Sequence, residues 1–187
     1  TPDLQLYYSS QKNSNGAFGY GWDINIPYIE RVNKNGIDRM NNQMYFSSYL
    51  DGELASSTTA STTFYAKVEN GIFAKYQYQA SSTYWNVTYK DGTVYTYGLS
   101  TSTRQSSSTD SSIIHRWMLE EIRDTNNNYI KYEYYSDSGQ IYPNRITYTG
   151  NGVIDGIFTV TFTRETRNDL APAYRQGFKV ITSYRTK

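Results

Sequence analysis

Dipeptides that end in glycine and favour tight turns recur along the whole chain. Asparagine or aspartate followed by glycine tolerates the left-handed backbone of a two-residue hairpin turn, so each such dipeptide is a candidate chain reversal. The chain is therefore predicted to fold into antiparallel hairpins. The turn dipeptides are Asn35-Gly36, Asp51-Gly52, Asn70-Gly71, Asp91-Gly92, Ser138-Gly139, Asn151-Gly152 and Asp155-Gly156.

The composition agrees with a sheet protein. Tyrosine accounts for 21 of the 187 residues, and tyrosine and threonine suit pleated, half-wet surfaces. The mean hydropathy of -0.71 does not indicate disorder, because tyrosine lowers this index while still burying a large ring. We predict a single all-β domain over residues 1–187, in which antiparallel hairpins or a meander form a curved sheet or partial shell.

The predicted strands fill most of the chain, and two polar runs interrupt them. Residues 56–63 and 100–112 are rich in serine and threonine and are predicted to be solvated loops. The segment 113–123 has nearly helical spacing of apolar residues, but its aromatic neighbours and the asparagine-rich turn after it favour a strand. Strands are predicted near residues 4–9, 22–32, 43–48, 63–69, 72–79, 84–90, 93–98, 114–123, 129–135, 144–149, 157–164 and 178–185.

Residues 16–31 combine closely spaced glycines with a clear alternation. Trp22, Ile24 and Ile26 fall on one side of a predicted strand, with polar residues between them. Pro27 cannot donate to a sheet ladder, so it marks a strand end, an edge or a bulge. This pattern predicts that the Trp22 ring is packed in a core.

The clearest hairpin surrounds Asp91-Gly92. A two-residue turn at this dipeptide would pair Tyr89 with Val94. Tyr95 would then lie on the face opposite to Trp85, since successive side chains of a strand alternate. Aromatic rings are therefore expected on both faces of this hairpin.

His115 is the single histidine of the chain and the residue that a hydrolytic triad would require. Its partners would be a serine and a carboxylate such as Asp110 or Asp124. No Gly-x-Ser-x-Gly elbow supports such a triad. A lone histidine in a polar and aromatic strand is more often structural, so both interpretations stay open.

Glu120 and Glu121 are the candidates for a glycosidase pair. Adjacent residues of a strand face opposite sides, so the two carboxylates cannot flank one sugar unless the backbone bulges. Glu133 is a possible partner from a neighbouring strand. The alternative is an exposed charged face without a catalytic role.

Asp124 begins a segment that imitates the opening of a calcium loop. The imitation fails because Tyr129 stands where the loop needs glycine and Tyr135 where it needs glutamate. A hairpin turn is the favoured interpretation. Since zinc spacings, phosphate loops and dinucleotide fingerprints are also missing from the sequence, we predict no metal site and no cofactor.

The three tryptophans, Trp22, Trp85 and Trp117, are candidate binding platforms. Their rings could stack on sugars or bases. Packing in the core is the alternative for each of them and the more common role of a tryptophan.

Charge and hydrophobic patterning argue against two classes of partner. The net charge is +1 without a basic block, so a nucleic-acid binder is not expected. No apolar run approaches 18 residues, which argues against a membrane-spanning segment. The chain contains no cysteine and begins at Thr1 without a visible secretory signal, and we interpret it as a fragment or processed product.

Several motifs of the chain belong together as a set. The first are Leu4-Gln-Leu-Tyr-Tyr-Ser-Ser10 and Asn15-Gly16-x-Phe18-Gly19-x-Gly21-Trp22. They are followed by Ile24-x-Ile26-Pro27-x-Ile29-x-Arg31, Asp91-Gly92-Thr-x-Tyr95 and the segment from Trp117 to Tyr134. This set resembles the start of the virulence-plasmid B protein family, which includes the N-terminal part of the insecticidal toxin-complex B component, and it continues towards Rhs and YD-type repeats.

The resemblance implies a β-rich shell and a structural role. Related chains of toxin complexes form a hollow cocoon around a C-terminal effector, so the expected partners are the remainder of a parent toxin chain or its cargo. It also implies a bacterial protein that is exported or extracellular. An autonomous ester or glycan hydrolase and a carbohydrate- or surface-binding module are the two alternatives, and homo-oligomers could form through open sheet edges.

Overall fold

The structure, a computed structural model, describes residues 1–11 and 15–187 and is built almost entirely from antiparallel strands. This confirms the predicted all-β class. The strands are β1 (Leu6–Tyr8), β2 (Asn15–Gly16), β3 (Gly19–Tyr20), β4 (Trp22–Ile24), β5 (Tyr28–Arg31), β6 (Phe46–Ser48), β7 (Gly52–Ser56), β8 (Thr63–Ala66), β9 (Lys75–Gln79), β10 (Tyr84–Thr88), β11 (Val94–Tyr97), β12 (Arg104–Ser106), β13 (Ile114–Arg123), β14 (Asn128–Asp137), β15 (Gln140–Asn151), β16 (Phe158–Thr161), β17 (Arg164–Thr166), β18 (Pro172–Ala173), β19 (Val180–Ile181) and β20 (Tyr184–Thr186). The described helices are α1 (Ile37–Met40) and a 3-10 turn (Thr101–Thr103).

Strands β5 to β11 and β13 form a closed barrel of eight strands. Consecutive strands pair from β5 to β11, and β13 closes the ring because it pairs with both ends of this series. Trp117 of β13 lies opposite Ile29 of β5, and Leu119 lies opposite Tyr97 of β11. The predicted curved sheet therefore closes on itself in this part of the chain, which leaves the barrel strands without open edges.

Strand β13 also connects the barrel to an open sheet. Its first half lies between β5 and β12, and its second half lies between β11 and β14. From β14 the sheet continues through β15 to β16. The strand predicted over 114–123 is confirmed, and its length of 10 residues allows it to serve both structures.

Aromatic side chains fill the barrel. The ring of Phe46 makes edge-to-face contacts with Phe64, Trp85 and Trp117 at centroid distances of 5.4, 4.8 and 5.8 Å. Such arrangements are favoured because the positive edge of one ring meets the negative face of another. Trp85 and Trp117 are both 0% exposed, so core packing is confirmed for these two tryptophans.

Arginine side chains close one end of the barrel. Arg104 donates hydrogen bonds to the carbonyl oxygens of Gly98, Ser82 and Leu99 at 2.6, 2.8 and 2.9 Å, and to Thr83 Oγ1 at 2.6 Å. These acceptors lie in the connections that follow β9 and β11, so one planar guanidinium holds two loops together. The Arg31 guanidinium lies 5.3 Å from the centroid of the Phe46 ring and 5.4 Å from that of Trp117.

The hairpin between β10 and β11 differs by one residue from the predicted register. The Tyr89 N–H donates to the Thr93 carbonyl at 3.0 Å, which leaves a three-residue loop with Gly92 in a left-handed conformation. Val87 therefore lies opposite Tyr95, and Trp85 lies opposite Tyr97. A shift of one residue moves every side chain to the other face. The predicted position of Tyr95 on the face opposite to Trp85 is therefore wrong, because Tyr95 shares the face of Trp85, while Tyr84 of β10 places a ring on the other face.

The asparagine-rich turn between β13 and β14 has the same loop geometry. The Asp124 N–H donates to the Asn128 carbonyl at 3.0 Å, and Asn127 adopts a left-handed conformation with φ of 63°. This confirms the predicted hairpin turn. Asparagine occupies the left-handed position here, where glycine occupies it in the β10–β11 loop.

The predicted strand 22–32 is interrupted, and its first tryptophan is not in the core. The chain leaves the small β1–β4 sheet after Ile24 and enters the barrel at Tyr28, with Pro27 in the break. Trp22 is 42% exposed, which contradicts the expected burial of its ring. The alternation is real, but the β1–β4 pair has no layer packed over the Trp22 face.

The segment 100–112 is only partly the predicted solvated loop. It contains the 3-10 turn and β12, and Gln105 of β12 lies opposite Arg116 of β13. Thr103 and Gln105 are buried. In the other polar run, residues 57–62 connect β7 to β8.

Candidate functional site

A cleft of about 660 Å³ lies beside β13, and we call it the His115 cleft. It is formed where residues 16–28, the first half of β13, the start of β15 and residues 169–182 meet. The walls mix aliphatic side chains such as Ile26 and Ile141 with polar ones such as Gln105 and Gln140. A concave site of mixed lining is the usual place for a ligand or active site.

His115 lies in the wall of this cleft in a largely buried position. Its side chain is 11% exposed, and Nε2 lies 3.7 Å from Glu30 Oε2. Burial, together with the nearby charges of Arg116 and Arg31, lowers the pKa of His115 to about 4, although Glu30 partly opposes this effect. The imidazole is therefore neutral near neutral pH, with one nitrogen able to accept a proton. Nδ1 has no hydrogen-bond partner among the described residues.

The carboxylate beside His115 is engaged by an arginine. Glu30 Oε2 accepts hydrogen bonds from Arg116 Nε at 3.0 Å and from Arg116 Nη2 at 2.6 Å. The same guanidinium lies 3.9 Å from the centroid of the Tyr28 ring. No serine is present among the described residues that line the cleft. The arrangement resembles an ion pair between the neighbouring strands β5 and β13 more than a catalytic triad of nucleophile, base and acid.

Asp110, one of the two aspartates considered for the triad, stabilises a turn. Its Oδ1 accepts the N–H of Ser112 at 2.9 Å and the hydroxyl of Ser112 at 2.6 Å. The side-chain hydrogen bond from Ser112 lowers the pKa of Asp110.

Glu120 and Glu121 point away from each other and have different surroundings. Glu120 is buried and accepts hydrogen bonds from the Ser100 N–H at 2.8 Å and from Thr103 Oγ1 at 2.7 Å. Glu121 accepts a hydrogen bond from Arg123 Nε at 2.7 Å on the other face. The expected exposed face is wrong for Glu120, because the 3-10 turn covers it. The structure does not bring these two carboxylates into one pocket.

Glu133, the third glutamate candidate, forms a bidentate pair with an arginine of the neighbouring strand. Arg145 Nε and Nη2 both donate to its carboxylate at 2.9 Å. The two residues lie opposite each other in β14 and β15. This contact has the geometry of a cross-strand ion pair.

Asp124 holds its own turn together. Its Oδ1 accepts the N–H groups of Asn126 and Asn128, both at 2.8 Å. The hydrogen bond from the Asn128 side chain lowers the pKa of Asp124, followed by those from the backbone. Within residues 1–11 and 15–187, no group of three or more histidine and carboxylate residues could hold a metal ion.

Trp22 belongs to an exposed surface of the small β1–β4 sheet, which we call the N-terminal aromatic surface. Tyr8 lies opposite Trp22 in register, and their ring centroids are 5.3 Å apart. The surface consists of Leu6, Tyr8 and Trp22, all exposed. Trp85 and Trp117 lie inside the barrel and cannot contact a ligand there without unfolding.

A second exposed apolar surface lies around the turn from β15 to β16, and the sequence analysis missed it. Among the described strands, β16 pairs only with β15, so its outer edge is open. Val153 is fully exposed, and the Phe158 ring stacks on that of Tyr148 at 5.6 Å. The sequence signal for this surface was the position of aliphatic residues directly beside turn glycines, where side chains are usually exposed. We call Val153, Ile154, Ile157 and Phe158 the β16 edge surface.

Comparison with known proteins identifies the family. The family model described as Salmonella virulence plasmid 65kDa B protein matches residues 1–79 and 60–151. The chain belongs to the SpvB family. No curated protein matches the sequence. In the part of this SpvB-family chain that the structure describes, no helix is long and apolar enough to cross a membrane.

The SpvB-family fold recurs in solved toxin structures. The N-terminal domain of effector protein SpvB from Salmonella typhimurium strain LT2 is similar over 100% of this chain and 81% of its own, with a TM-score of 0.85 and 17% identity. The TcdB2-TccC3 crystal structure is similar over 100% of this chain and 12% of its own, with a TM-score of 0.79 and 18% identity. The Tc holotoxin pore of Photorhabdus luminescens is similar over 99% and 12%, with a TM-score of 0.79 and 18% identity.

Proposed function

We propose that this chain is a non-enzymatic structural module of a bacterial toxin-type β-shell, which encloses or delivers a C-terminal effector. The observation that carries the proposal is the closed barrel, whose interior is packed with rings such as Phe46, Trp85 and Trp117. Membership of the SpvB family supports a toxin context, in which the protein is exported or extracellular.

The open sheet supplies a surface for the rest of such a shell. Strand β13 fixes β14 to the barrel, and β16 presents an unpaired edge with the β16 edge surface around it. Edges of this kind favour pairing with another strand. The proposed partners are the remainder of the parent toxin chain or its effector cargo, and a second copy of this chain could use the same edge. The chain spans 12% of the TcdB2-TccC3 chain it matches, so any whole-toxin activity belongs to this proposal.

The contacts of the catalytic candidates support a structural role. Glu120 holds the 3-10 turn and Asp124 holds a hairpin turn, while Glu30, the carboxylate beside the candidate His115, anchors Arg116. A hydrolase on this scaffold would have to use His115 without a serine in the cleft wall. The first test is therefore an ester and glycan hydrolysis panel with wild type and His115→Ala. Turnover that survives repurification and is lost in the variant would overturn the proposal.

A second experiment tests the sheet edge directly. Ile157→Lys combined with Phe158→Lys should abolish self-association in sedimentation and reduce binding of a hydrophobic dye, because both side chains are exposed beside the open strand. Val68→Lys is the matched control, since Val68 is equally apolar and exposed but lies in the β8–β9 connection. If Val68→Lys changes self-association and dye binding to the same extent, the β16 edge surface is not a specific association site.

A carbohydrate- or surface-binding module is the second candidate, and one observation favours it. The tilted pair of Trp22 and Tyr8 presents two exposed rings in adjacent strands. Because Trp85 and Trp117 are buried, a glycan that shifts tryptophan fluorescence would have to act through Trp22. A fluorescence titration of wild type and Trp22→Phe with a glycan panel tests this candidate.

A further inference from the structure

The end of the barrel opposite Arg104 holds a cluster of polar groups among aromatic rings. Asp51 lies in the turn between β6 and β7, Tyr76 in β9, and Tyr89 beside the turn between β10 and β11. The Tyr76 hydroxyl is hydrogen-bonded to Ser48 Oγ at 2.9 Å and to Asp51 Oδ2. Three successive hairpins thus bring one carboxylate and several hydroxyl groups to the same end of the barrel.

Three oxygen atoms of this cluster are buried without a partner. Asp51 Oδ1 and the hydroxyl oxygens of Tyr89 and Tyr97 have no hydrogen bond among the described residues. Tyr97 is 0% exposed. Buried oxygen atoms of native proteins are almost always hydrogen-bonded, since burial removes the water that would otherwise solvate them. Three such atoms at one barrel end therefore need a common explanation.

The strand register and the ring contacts place these groups near one another. Tyr76 of β9 and Tyr95 of β11 both lie opposite Val87 of β10. The centroid of the Tyr95 ring lies 4.8 Å from that of Tyr89 and 6.5 Å from that of Tyr97. Burial raises the pKa of Tyr97 well above its ordinary value, and Tyr89, Tyr76 and Asp51 raise it further. Burial likewise raises the pKa of Tyr89, with Asp51 as the next cause. The three unpartnered oxygen atoms thus belong to groups within electrostatic reach of one another inside the barrel.

We propose that this barrel end is a buried hydration site, in which water bridges Asp51 Oδ1 and the hydroxyl groups of Tyr89 and Tyr97. Buried water molecules make about three hydrogen bonds, to groups that the protein alone leaves unsatisfied, and this cluster offers that number. A carboxylate oxygen accepts from water, while each tyrosine hydroxyl either donates to it or accepts from it.

A surface cleft lies next to the site. A depression of about 310 Å³ lies beside the β10–β11 turn, and Tyr89 and Tyr95 form part of its wall. Tyr89 therefore faces the cluster on one side and solvent on the other. The hydration site joins the β6–β7 turn to β10 and β11, two parts of the barrel that are not neighbours in the sheet.

Tyr97→Phe tests the proposal, with Tyr134→Phe as its reference. The Tyr134 hydroxyl donates directly to the Leu119 carbonyl at 2.6 Å, so its removal shows the effect of losing one buried hydrogen bond. If water satisfies Tyr97, its replacement should lower the thermal unfolding midpoint by about 2–4 °C, comparable with the reference. An unchanged or raised midpoint would overturn the proposal, because removing a hydroxyl without a partner relieves its desolvation.

Two further measurements test the bridge itself. Tyr89→Phe and Tyr97→Phe together should lower the midpoint by less than the sum of the single variants, since both hydroxyl groups bind the same water. Strict additivity contradicts a shared water. The midpoint should be the same in sodium, potassium and choline chloride, and dependence on an alkali cation would assign the site to that ion instead.

Discussion

The backbone of Gly98 lies directly against the indole ring of Trp117. A Cβ atom at position 98 would lie 2.3 Å from Trp117 Cδ1, and Gly98 has φ of +68°. Its N–H donates to the Met118 carbonyl at 3.0 Å, so the chain cannot move away without breaking the closure of β11 onto β13. Glycine is needed here both for its backbone conformation and for the space it leaves to the ring.

Gly98→Ala is therefore expected to destabilise the fold by about 2–4 kcal/mol, as overpacking of the core adds to the cost of a left-handed backbone. Urea unfolding followed by tryptophan fluorescence measures this loss. Gly52→Ala is the matched control, because Gly52 has φ of +70° and no atom within 4 Å of a Cβ. If both variants lose the same stability, the ring contact contributes nothing.

The two tryptophans of β4 and β13 should respond very differently to truncation. Trp117→Ala removes a ring that is 0% exposed and should lower the free energy of unfolding by about 3–5 kcal/mol. Trp22→Ala removes a 42% exposed ring whose main contact is Tyr8, so we expect a loss of about 1 kcal/mol or less. Calorimetric midpoints of both variants check this difference, and a larger loss for Trp22→Ala would contradict the placement of its ring.

Stability should fall as the pH drops from about 6.5 to about 4, because of His115. The folded protein keeps this imidazole neutral down to about pH 4, whereas the unfolded chain takes up the proton near pH 6.5. The unfolded state therefore binds more protons in this window, and the loss amounts to about 3 kcal/mol at its acid end. His115→Gln should flatten this part of the pH profile of chemical denaturation. A variant profile parallel to that of wild type would show that other groups cause the acid sensitivity.

Arg104→Lys should destabilise the barrel by about 1–3 kcal/mol, because an ammonium group cannot reproduce the fork that reaches two loops. Arg145→Lys is the comparison, since Arg145 pairs with Glu133 at the exposed surface and should lose less than about 1 kcal/mol. Thermal midpoints of the two variants separate the roles. Equal shifts would mean that Arg104 stabilises the barrel only through its positive charge and not through its hydrogen bonds to the two loops.

Local signals predicted the local structure well. The turn at Asp124 and the strand over 114–123 follow from asparagine-rich turn chemistry and from alternation within a few residues. The register around Asp91-Gly92 did not follow, because the same dipeptide fits a two-residue turn and a three-residue loop with Gly92 in the left-handed position. One residue of loop length decided which face carries Tyr95.

Long-range contacts explain what the sequence could not predict. Barrel closure depends on β13 meeting both β5 and β11, and no local pattern encodes that pairing. The His115 cleft is built from five separate parts of the chain, because Gln105 of β12 also lines it. The 3-10 turn that buries Glu120 lies in a run of serine and threonine whose composition alone indicates a solvated loop.

The late position of β13 in the chain affects how the protein is made. Arg116 and Glu30, which join the two sides of the barrel, are 86 residues apart. During synthesis, strands β5 to β11 leave the ribosome first and can pair with one another. They form an open sheet whose edge strands, β5 and β11, stay unpaired until Ile114–Arg123 follows. A product truncated before Ile114 would contain seven of the eight barrel strands and would aggregate through its two unpaired edge strands.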